Sequence, residues 1–221
     1  MTWMIEKIFT DNQHTHFFTM RVILIHGFNA NPTMNFHPWL AGALRDKGFE
    51  VCVPELPLST KEELNLPAII ETMKTQVGFI KSTDILLGHS LGAFIIPQYL
   101  EAVEMTETPR AVILVAAPWH VSRPELQRLF LADLDAEVMM LKAREFVVVH
   151  SKDDTLVPYE HGQRLATQLK ARLVTTASDG HYMDERYPVL LETIEEIANR
   201  PFEFAPGQSL VDDYIGIQTL L

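Results

Sequence analysis

Cysteine is almost absent from this chain of 221 residues, in which Cys52 stands alone. One cysteine cannot form a disulfide within the chain, and no cluster of cysteine and histidine has the spacing of metal ligands. The sequence therefore favours a reducing compartment and predicts a site without a metal. We place Cys52 in a strand and expect it to be a small buried hydrophobic side chain.

A long hydrophobic run is also missing. The longest apolar stretch, residues 111–119, is about half of the roughly 20 residues that a membrane-spanning helix requires. Charged side chains at Glu6, Lys7 and Asp11 interrupt the apolar run that a signal peptide would need. We therefore expect neither a transmembrane segment nor a signal peptide, and the sequence predicts a cytoplasmic protein.

Positive charge is scarce in the chain. Its 18 lysines and arginines face 29 aspartates and glutamates, which gives a net charge of −11 at pH 7. Such a chain would repel phosphate backbones and anionic membrane surfaces. We therefore expect no nucleic-acid partner and no membrane partner, and we interpret most of the acids as a solvated surface.

Apolar side chains are plentiful, with 47% hydrophobic residues against 21% charged ones. A chain of this length can bury one sizeable core, and no repeat or linker divides it, so we predict a single domain over residues 1–221. Residues 1–19 form an N-terminal arm whose structure the sequence leaves open. The tail over 201–221 ends in apolar residues that would dock on its own chain or on another subunit, so a homo-oligomer also stays open.

Short β-rich runs alternate with longer segments of helical periodicity. This alternation is typical of an α/β fold in which helices cover both faces of a mostly parallel sheet of about six strands. We predict strands over residues 22–25, 50–53, 84–87, 112–116, 146–150 and 172–175. We predict helices over residues 36–47, 63–80, 91–105, 124–143, 159–170 and 187–199.

The motif that carries chemistry is Gly88-His89-Ser90-Leu91-Gly92, which follows a predicted strand and begins a predicted helix. This is the context of a G-x-S-x-G nucleophile elbow. Side chains at either glycine position would collide where the strand turns abruptly into the helix, while the serine occupies a strained conformation at the apex. We therefore predict Ser90 as a nucleophile.

A serine hydroxyl needs a base within hydrogen-bond reach, and the base needs an acid to orient it. In the chain order typical of this elbow the acid and then the histidine follow the serine. His181 comes after the last predicted strand, and Asp153 and Asp154 follow the strand before it. We favour Asp154 as the orienting acid and Asp153 as a loop-capping residue, although the sequence leaves the choice between them open.

The remaining histidines have simpler interpretations. His26 and His89 lie inside turn motifs that they would shape, and His150 lies within a predicted strand as a structural or surface residue. The first strand ends in His26-Gly27-Phe28, and the loop after it would face the elbow. Backbone N–H groups of Phe28 and Leu91 would then form an oxyanion hole, with the helix that begins at Leu91 adding its positive dipole end.

Together, His26-Gly27-Phe28, the elbow, the segment from Asp154 to Val157-Pro158, and Gly180-His181 resemble the α/β-hydrolase superfamily. The compact length and the acid loop are similar to those of small serine hydrolases that include YdeN-type proteins and retinoblastoma-binding serine hydrolases. The resemblance spans most of residues 21–199. It implies the α/β-hydrolase fold, serine hydrolase chemistry and a short helical cap over residues 120–144.

A catalytic serine of this kind needs no cofactor. We therefore expect a carboxylesterase-like enzyme that acts on small or medium acyl esters, with an acyl thioesterase or a protein-binding module without useful turnover as alternatives. Four side chains that follow strand ends or lie in the predicted cap are candidates for the substrate pocket, namely Trp39, Trp119, Met139 and Met140.

Overall fold

The computed structural model describes residues 19–59, 64–121, 123–129 and 135–201. The expectations for the arm over 1–19 and for the tail over 201–221 lie outside the described residues, apart from the innermost position of each.

Six parallel strands form one sheet in the order β2-β1-β3-β4-β5-β6. The strands are β1 Arg21–Ile25, β2 Glu50–Cys52, β3 Ile85–His89, β4 Ala111–Val115, β5 Phe146–Ser151 and β6 Arg172–Thr176. The α/β-hydrolase fold class and all six predicted strands are confirmed, with boundaries that move by a residue or two. Because the strands run in parallel, their carboxyl ends meet at one edge, where ligands bind in open α/β sheets.

The four central strands are buried along their whole length, whereas the edge strands β2 and β6 are half-exposed. A strand covered on both faces must be apolar at consecutive positions, as Phe146 to Val149 are in β5. Neighbouring residues of one strand then enter different cores: Val22 and Leu24 pack on one face, and Ile23 and Ile25 on the other.

Seven helices lie within the described residues. They are α1 His37–Asp46, α2 Leu66–Val77, α3 Leu91–Ala102, α4 Pro124–Gln127, α5 Ala136–Met140, α6 Tyr159–Gln168 and α7 Pro188–Asn199. Helices α1 and α7 cover one face of the sheet, and α2, α3 and α6 cover the other. No helix in this part of the chain is long and apolar enough to span a membrane.

The single helix predicted over residues 124–143 is wrong. The segment contains two short helices, α4 and α5, on either side of residues 130–134, which lie outside the described residues. Asp135 starts the second helix, because its carboxylate accepts hydrogen bonds from the N–H groups of Glu137 and Val138. An aspartate favours such an N-cap over a helix interior, so the apolar periodicity continues while the helix does not.

Candidate active site

Ser90 stands at the turn between β3 and α3, and its backbone is strained as the elbow requires. Its φ of 53° and ψ of −121° lie outside the regions that most residues with a side chain adopt. A hydrogen bond of 2.8 Å from the Ser90 N–H to the carbonyl of Val115 ties this turn to the neighbouring strand. The strained conformation is therefore held by the centre of the sheet.

The two glycines of the motif make room for this turn. A Cβ added at Gly88 would lie 2.6 Å from the Cα of Ala93, and one added at Gly92 would lie 2.7 Å from the carbonyl oxygen of Ile25. Both neighbours are backbone atoms that cannot move aside. The close approach of α3 to β3 and β1 therefore requires glycine at both positions.

The structure brings Ser90, His181 and Asp154 into one hydrogen-bonded chain. Ser90 Oγ lies 2.9 Å from His181 Nε2, and His181 Nδ1 lies 2.7 Å from Asp154 Oδ2. An ionised carboxylate only accepts hydrogen bonds, so Nδ1 carries the proton and Nε2 is left to accept from the serine hydroxyl. In this tautomer the imidazole can act as a base toward Ser90.

Asp154 is held in its ionised form by its neighbours. Burial would by itself raise the pKa of this carboxyl, but the nearby imidazoles of His150 and His181 and the Val157 N–H outweigh burial and hold the pKa well below its usual range. The N–H groups of Leu156 and Val157 both donate to Oδ1 at 2.9 Å. The loop after β5 therefore fixes one carboxylate oxygen and leaves the other for histidine.

Asp153 has a different environment. Its exposed carboxylate accepts a hydrogen bond of 2.5 Å from the Ser151 hydroxyl and one of 2.9 Å from the N–H of Gly180. The Ser151 oxygen in turn accepts from the N–H of Asp179 at 3.0 Å. These bonds join the loop after β5 to the loop that carries His181, while the contact with the imidazole itself belongs to Asp154.

His89 holds the backbone of His181. Its Nε2 lies 2.8 Å from the carbonyl oxygen of His181, which can only accept, so Nε2 carries the proton. Burial, with a smaller repulsion from His181, lowers the pKa of His89 to about 3. The residue between Gly88 and Ser90 is thus a neutral donor, which agrees with its interpretation as a residue that shapes this turn.

The loop after β1 packs against the elbow. A Cβ added at Gly27 would lie 3.1 Å from the Cβ of Ser90, so the backbone next to Phe28 passes directly beside the nucleophile candidate. Leu91 is the first residue of α3 and follows Ser90. Their backbone N–H groups stay the predicted oxyanion donors.

The four predicted pocket residues are not gathered at one place. Trp119 and Met140 line a cleft of about 480 Å³ together with Ala136, Glu137, Arg164, Gln168 and Lys170. Ser90 is not among the residues that line this cleft. Met139 is 1% exposed and packs in the core. Trp39 packs on the face of the sheet that α1 and α7 cover, and the guanidinium of Arg186 lies over its ring.

Sequence reasoning missed a contact of His150, which it treated as a structural or surface residue. Its Nε2 lies 3.4 Å from Asp154 Oδ2 and 2.9 Å from the carbonyl oxygen of Val157. The available signal in the sequence is the spacing: His150 is the last residue of a predicted strand, and Asp154 follows four residues later in the loop. Within the described ranges, no group of three or more His, Cys, Asp or Glu side chains is placed to hold a metal ion.

Buried histidines around the site give the fold a pH dependence. Burial lowers the pKa of His26, of His37 to about 4 and of His89 to about 3. In the unfolded chain an imidazole titrates near 6.5, so the unfolded state binds more protons than the folded state below that pH. The stability that these neutral histidines allow is therefore fully present above about pH 6.5 and is lost as the pH falls toward 4.

We predict that the free energy of unfolding is level near pH 8 and falls between pH 6.5 and 5, with each of the three histidines adding a slope of up to about 1.4 kcal/mol per pH unit. Urea unfolding at a series of pH values measures this slope. His37→Gln should reduce it by about one proton. A slope that stays the same in this variant contradicts the prediction.

The family model for serine hydrolases matches residues 22–188, which contain Ser90, Asp154 and His181. The YdeN protein of Bacillus subtilis is 28% identical over 170 residues, which cover 76% of this chain and 88% of that protein. The serine hydrolase RBBP9 of Rattus norvegicus is 25% identical over 171 residues, which cover 75% of this chain and 87% of that protein.

A solved structure agrees with these similarities. The crystal structure of the ydeN gene product from B. subtilis superposes with a TM-score of 0.76 at 25% identity, covering 82% of this chain and 100% of that one. The similarity to that structure therefore extends over most of the chain.

Proposed function

The chain belongs to the serine hydrolase family, and from that premise we propose that it cleaves small or medium acyl esters through an acyl-enzyme on Ser90. The observation that carries the proposal is the unbroken chain of hydrogen bonds from Ser90 Oγ through His181 to Asp154. Such an arrangement activates a hydroxyl that is otherwise a weak nucleophile. The reaction needs no cofactor.

In the first half of the proposed reaction, Ser90 Oγ attacks the ester carbonyl carbon while its proton passes to His181 Nε2. The N–H groups of Phe28 and Leu91 would stabilise the negative oxygen of the tetrahedral intermediate. His181 then gives the proton to the leaving alkoxide, so that the alcohol departs and the acyl group stays on Ser90. In the second half, His181 removes a proton from water while the water oxygen attacks the acyl carbon. His181 then returns the proton to Ser90 Oγ as the acyl–Oγ bond breaks and the acid is released.

Asp154 would serve this cycle without changing its own protonation. It holds Nδ1–H of His181 in place during attack and stabilises the imidazolium that forms. Its pKa, held well below the usual range, keeps the carboxylate charged throughout. The strained turn at Ser90, the close glycine contacts and the hydrogen bonds between the loop after β5 and the loop of His181 all help to hold these three side chains in place. This support favours an active hydrolase over a binding module of the same fold.

The proposal is tested with acetyl, butyryl and octanoyl esters and with the matching thioesters, which carry the same organic group on sulfur instead of oxygen. Hydrolysis by the wild type that is absent from Ser90→Ala supports it, and higher kcat/KM on the oxygen esters supports the carboxylesterase assignment. Uniformly higher kcat/KM on the thioesters would replace that assignment with an acyl thioesterase. No turnover of either series, with the fold intact, would favour the binding module.

We also predict how kcat/KM depends on acyl length. Burying one methylene is worth about 0.8 kcal/mol, or about fourfold in kcat/KM, as long as a wall is present to bury it against. The helices α4 and α5 of the expected cap are short, so we expect the cap to limit the depth of the acyl pocket. The value of kcat/KM should then rise over the first few carbons of the acyl chain and level or fall beyond them. A series of p-nitrophenyl esters measures this, and an unbroken rise through long chains would contradict the small-ester proposal.

If the acyl chain extends from Ser90 into the cleft that Met140 lines, Met140→Ala should move that optimum toward longer chains. Met139→Ala is the matched control, because the side chain of Met139 is buried in the core. Its removal should lower the free energy of unfolding by about 2–5 kcal/mol without moving the optimum of acyl length. An optimum that stays in place in Met140→Ala would exclude Met140 from the acyl pocket.

A further inference from the structure

We propose that His150 is a positioning residue for Asp154, whose Oδ2 it holds together with His181. This inference rests on the proposed function, because it assigns His150 a part in keeping the orienting carboxylate of that same site in place. The imidazole would act through Asp154 and would contact neither the substrate nor Ser90.

The tautomer of His150 follows from its partner. Its Nε2 lies 2.9 Å from the carbonyl oxygen of Val157, which can only accept, so Nε2 carries the proton. The same N–H reaches Asp154 Oδ2 at 3.4 Å, longer than an ordinary hydrogen bond, as the weaker branch of a shared interaction. The side chains of both His150 and Asp154 are inaccessible to solvent, so even this weaker branch acts in a low dielectric.

The ring of His150 has no freedom to leave this position. A Cβ added at Gly162 of α6 would lie only 2.6 Å from Nδ1 of His150, so the helix backbone packs directly against the ring. The ring of Tyr159 packs on it nearly perpendicularly, with 5.9 Å between the ring centroids. Nδ1 is buried without a hydrogen-bond partner in the described part of the chain, so the Nε2 side makes all the polar contacts.

The contacts of Val157 show what the imidazole adds. The N–H of Val157 donates to Asp154 Oδ1 and its carbonyl accepts from His150, so the backbone of one residue links the imidazole to Oδ1, while the imidazole itself lies beside Oδ2. Removing the imidazole would leave that carbonyl unpaired and His181 as the single side-chain donor to Oδ2 among the described residues. Oδ1 would keep its two backbone donors, but Oδ2 would be held less firmly, and its alignment with Nδ1 of His181 would loosen.

Three substitutions separate this role from simple packing. His150→Gln can place an amide N–H near the position of Nε2, whereas the shorter His150→Asn cannot reach it, and His150→Leu fills the space without a donor. We expect kcat to fall by about 10- to 100-fold in the leucine and asparagine variants with KM nearly unchanged, and by no more than about threefold in His150→Gln. Tyr159→Phe, which keeps a ring on His150, is the matched control and should leave kcat unchanged.

A double-mutant cycle gives a readout that packing alone would not move. If His150 acts through Asp154, His150→Asn should cost no further activity in an Asp154→Asn background. Equal kcat in the asparagine and glutamine variants, or losses that multiply with that of Asp154→Asn, would overturn the positioning role. Each kcat is compared with that of an active wild type. A wild type that neither hydrolyses esters nor reacts with a fluorophosphonate probe for activated serines would instead overturn the proposed function.

Discussion

Ser90→Ala is expected to abolish covalent labelling by a fluorophosphonate probe while the protein stays folded. The probe reacts with a serine whose hydroxyl can pass its proton to a base, and Ser90 Oγ lies 2.9 Å from His181 Nε2. Alanine removes the oxygen and keeps the Cβ, so the packing of the elbow is retained. Gel fluorescence and mass spectrometry of the labelled peptide measure the result, with circular dichroism to show that the variant is folded.

A neighbouring serine supplies the control for this experiment. Ser178 is exposed on the loop before His181, at the same edge of the sheet, so Ser178→Ala should label as the wild type does. A label on any residue other than Ser90 would contradict the assignment of the nucleophile. A wild type that stays unlabelled while a known active serine hydrolase reacts in the same assay would contradict the enzyme hypothesis itself.

The parts of the site that sequence predicts best are those with local physical causes. The turn at Ser90 needs glycine at positions 88 and 92 because backbone atoms lie within about 3 Å of a Cβ added at either one. All of these residues lie within the five-residue motif, so a local pattern is enough to predict the turn. The six strands are similarly local, since burial on both faces demands consecutive apolar residues. Chain order then places Asp154 and His181 on loops at the same edge.

Other features depend on contacts that no local pattern reports. The apolar periodicity of the cap continues past the point where Asp135 starts a new helix, so the sequence predicts one helix where two exist. The sequence places His150 in a strand but does not predict its contact with Asp154, because that contact depends on how the chain turns after β5. The cleft at Trp119 and Met140 depends on the packing of α5 beside α6, which the sequence does not show.

Asp154→Asn is expected to lower kcat by orders of magnitude, and His181→Ala to remove most turnover. The Asp154 carboxylate accepts Nδ1–H of His181 at 2.7 Å and so keeps Nε2 free to take the serine proton. An asparagine amide can donate to Nδ1 instead, which would place the proton on Nε2 and leave no base beside Ser90. In a serine protease the equivalent change costs about 10⁴ in kcat.

The neighbouring acid makes the prediction sharp. Asp153→Asn changes the same charge one residue away, yet its carboxylate bonds to Ser151 and Gly180, so kcat should fall by no more than about tenfold. Steady-state kinetics on one p-nitrophenyl ester compares the two variants directly. A loss in Asp153→Asn that equals or exceeds the loss in Asp154→Asn would transfer the orienting role to Asp153, because only the acid that sets the tautomer of His181 carries so large an effect.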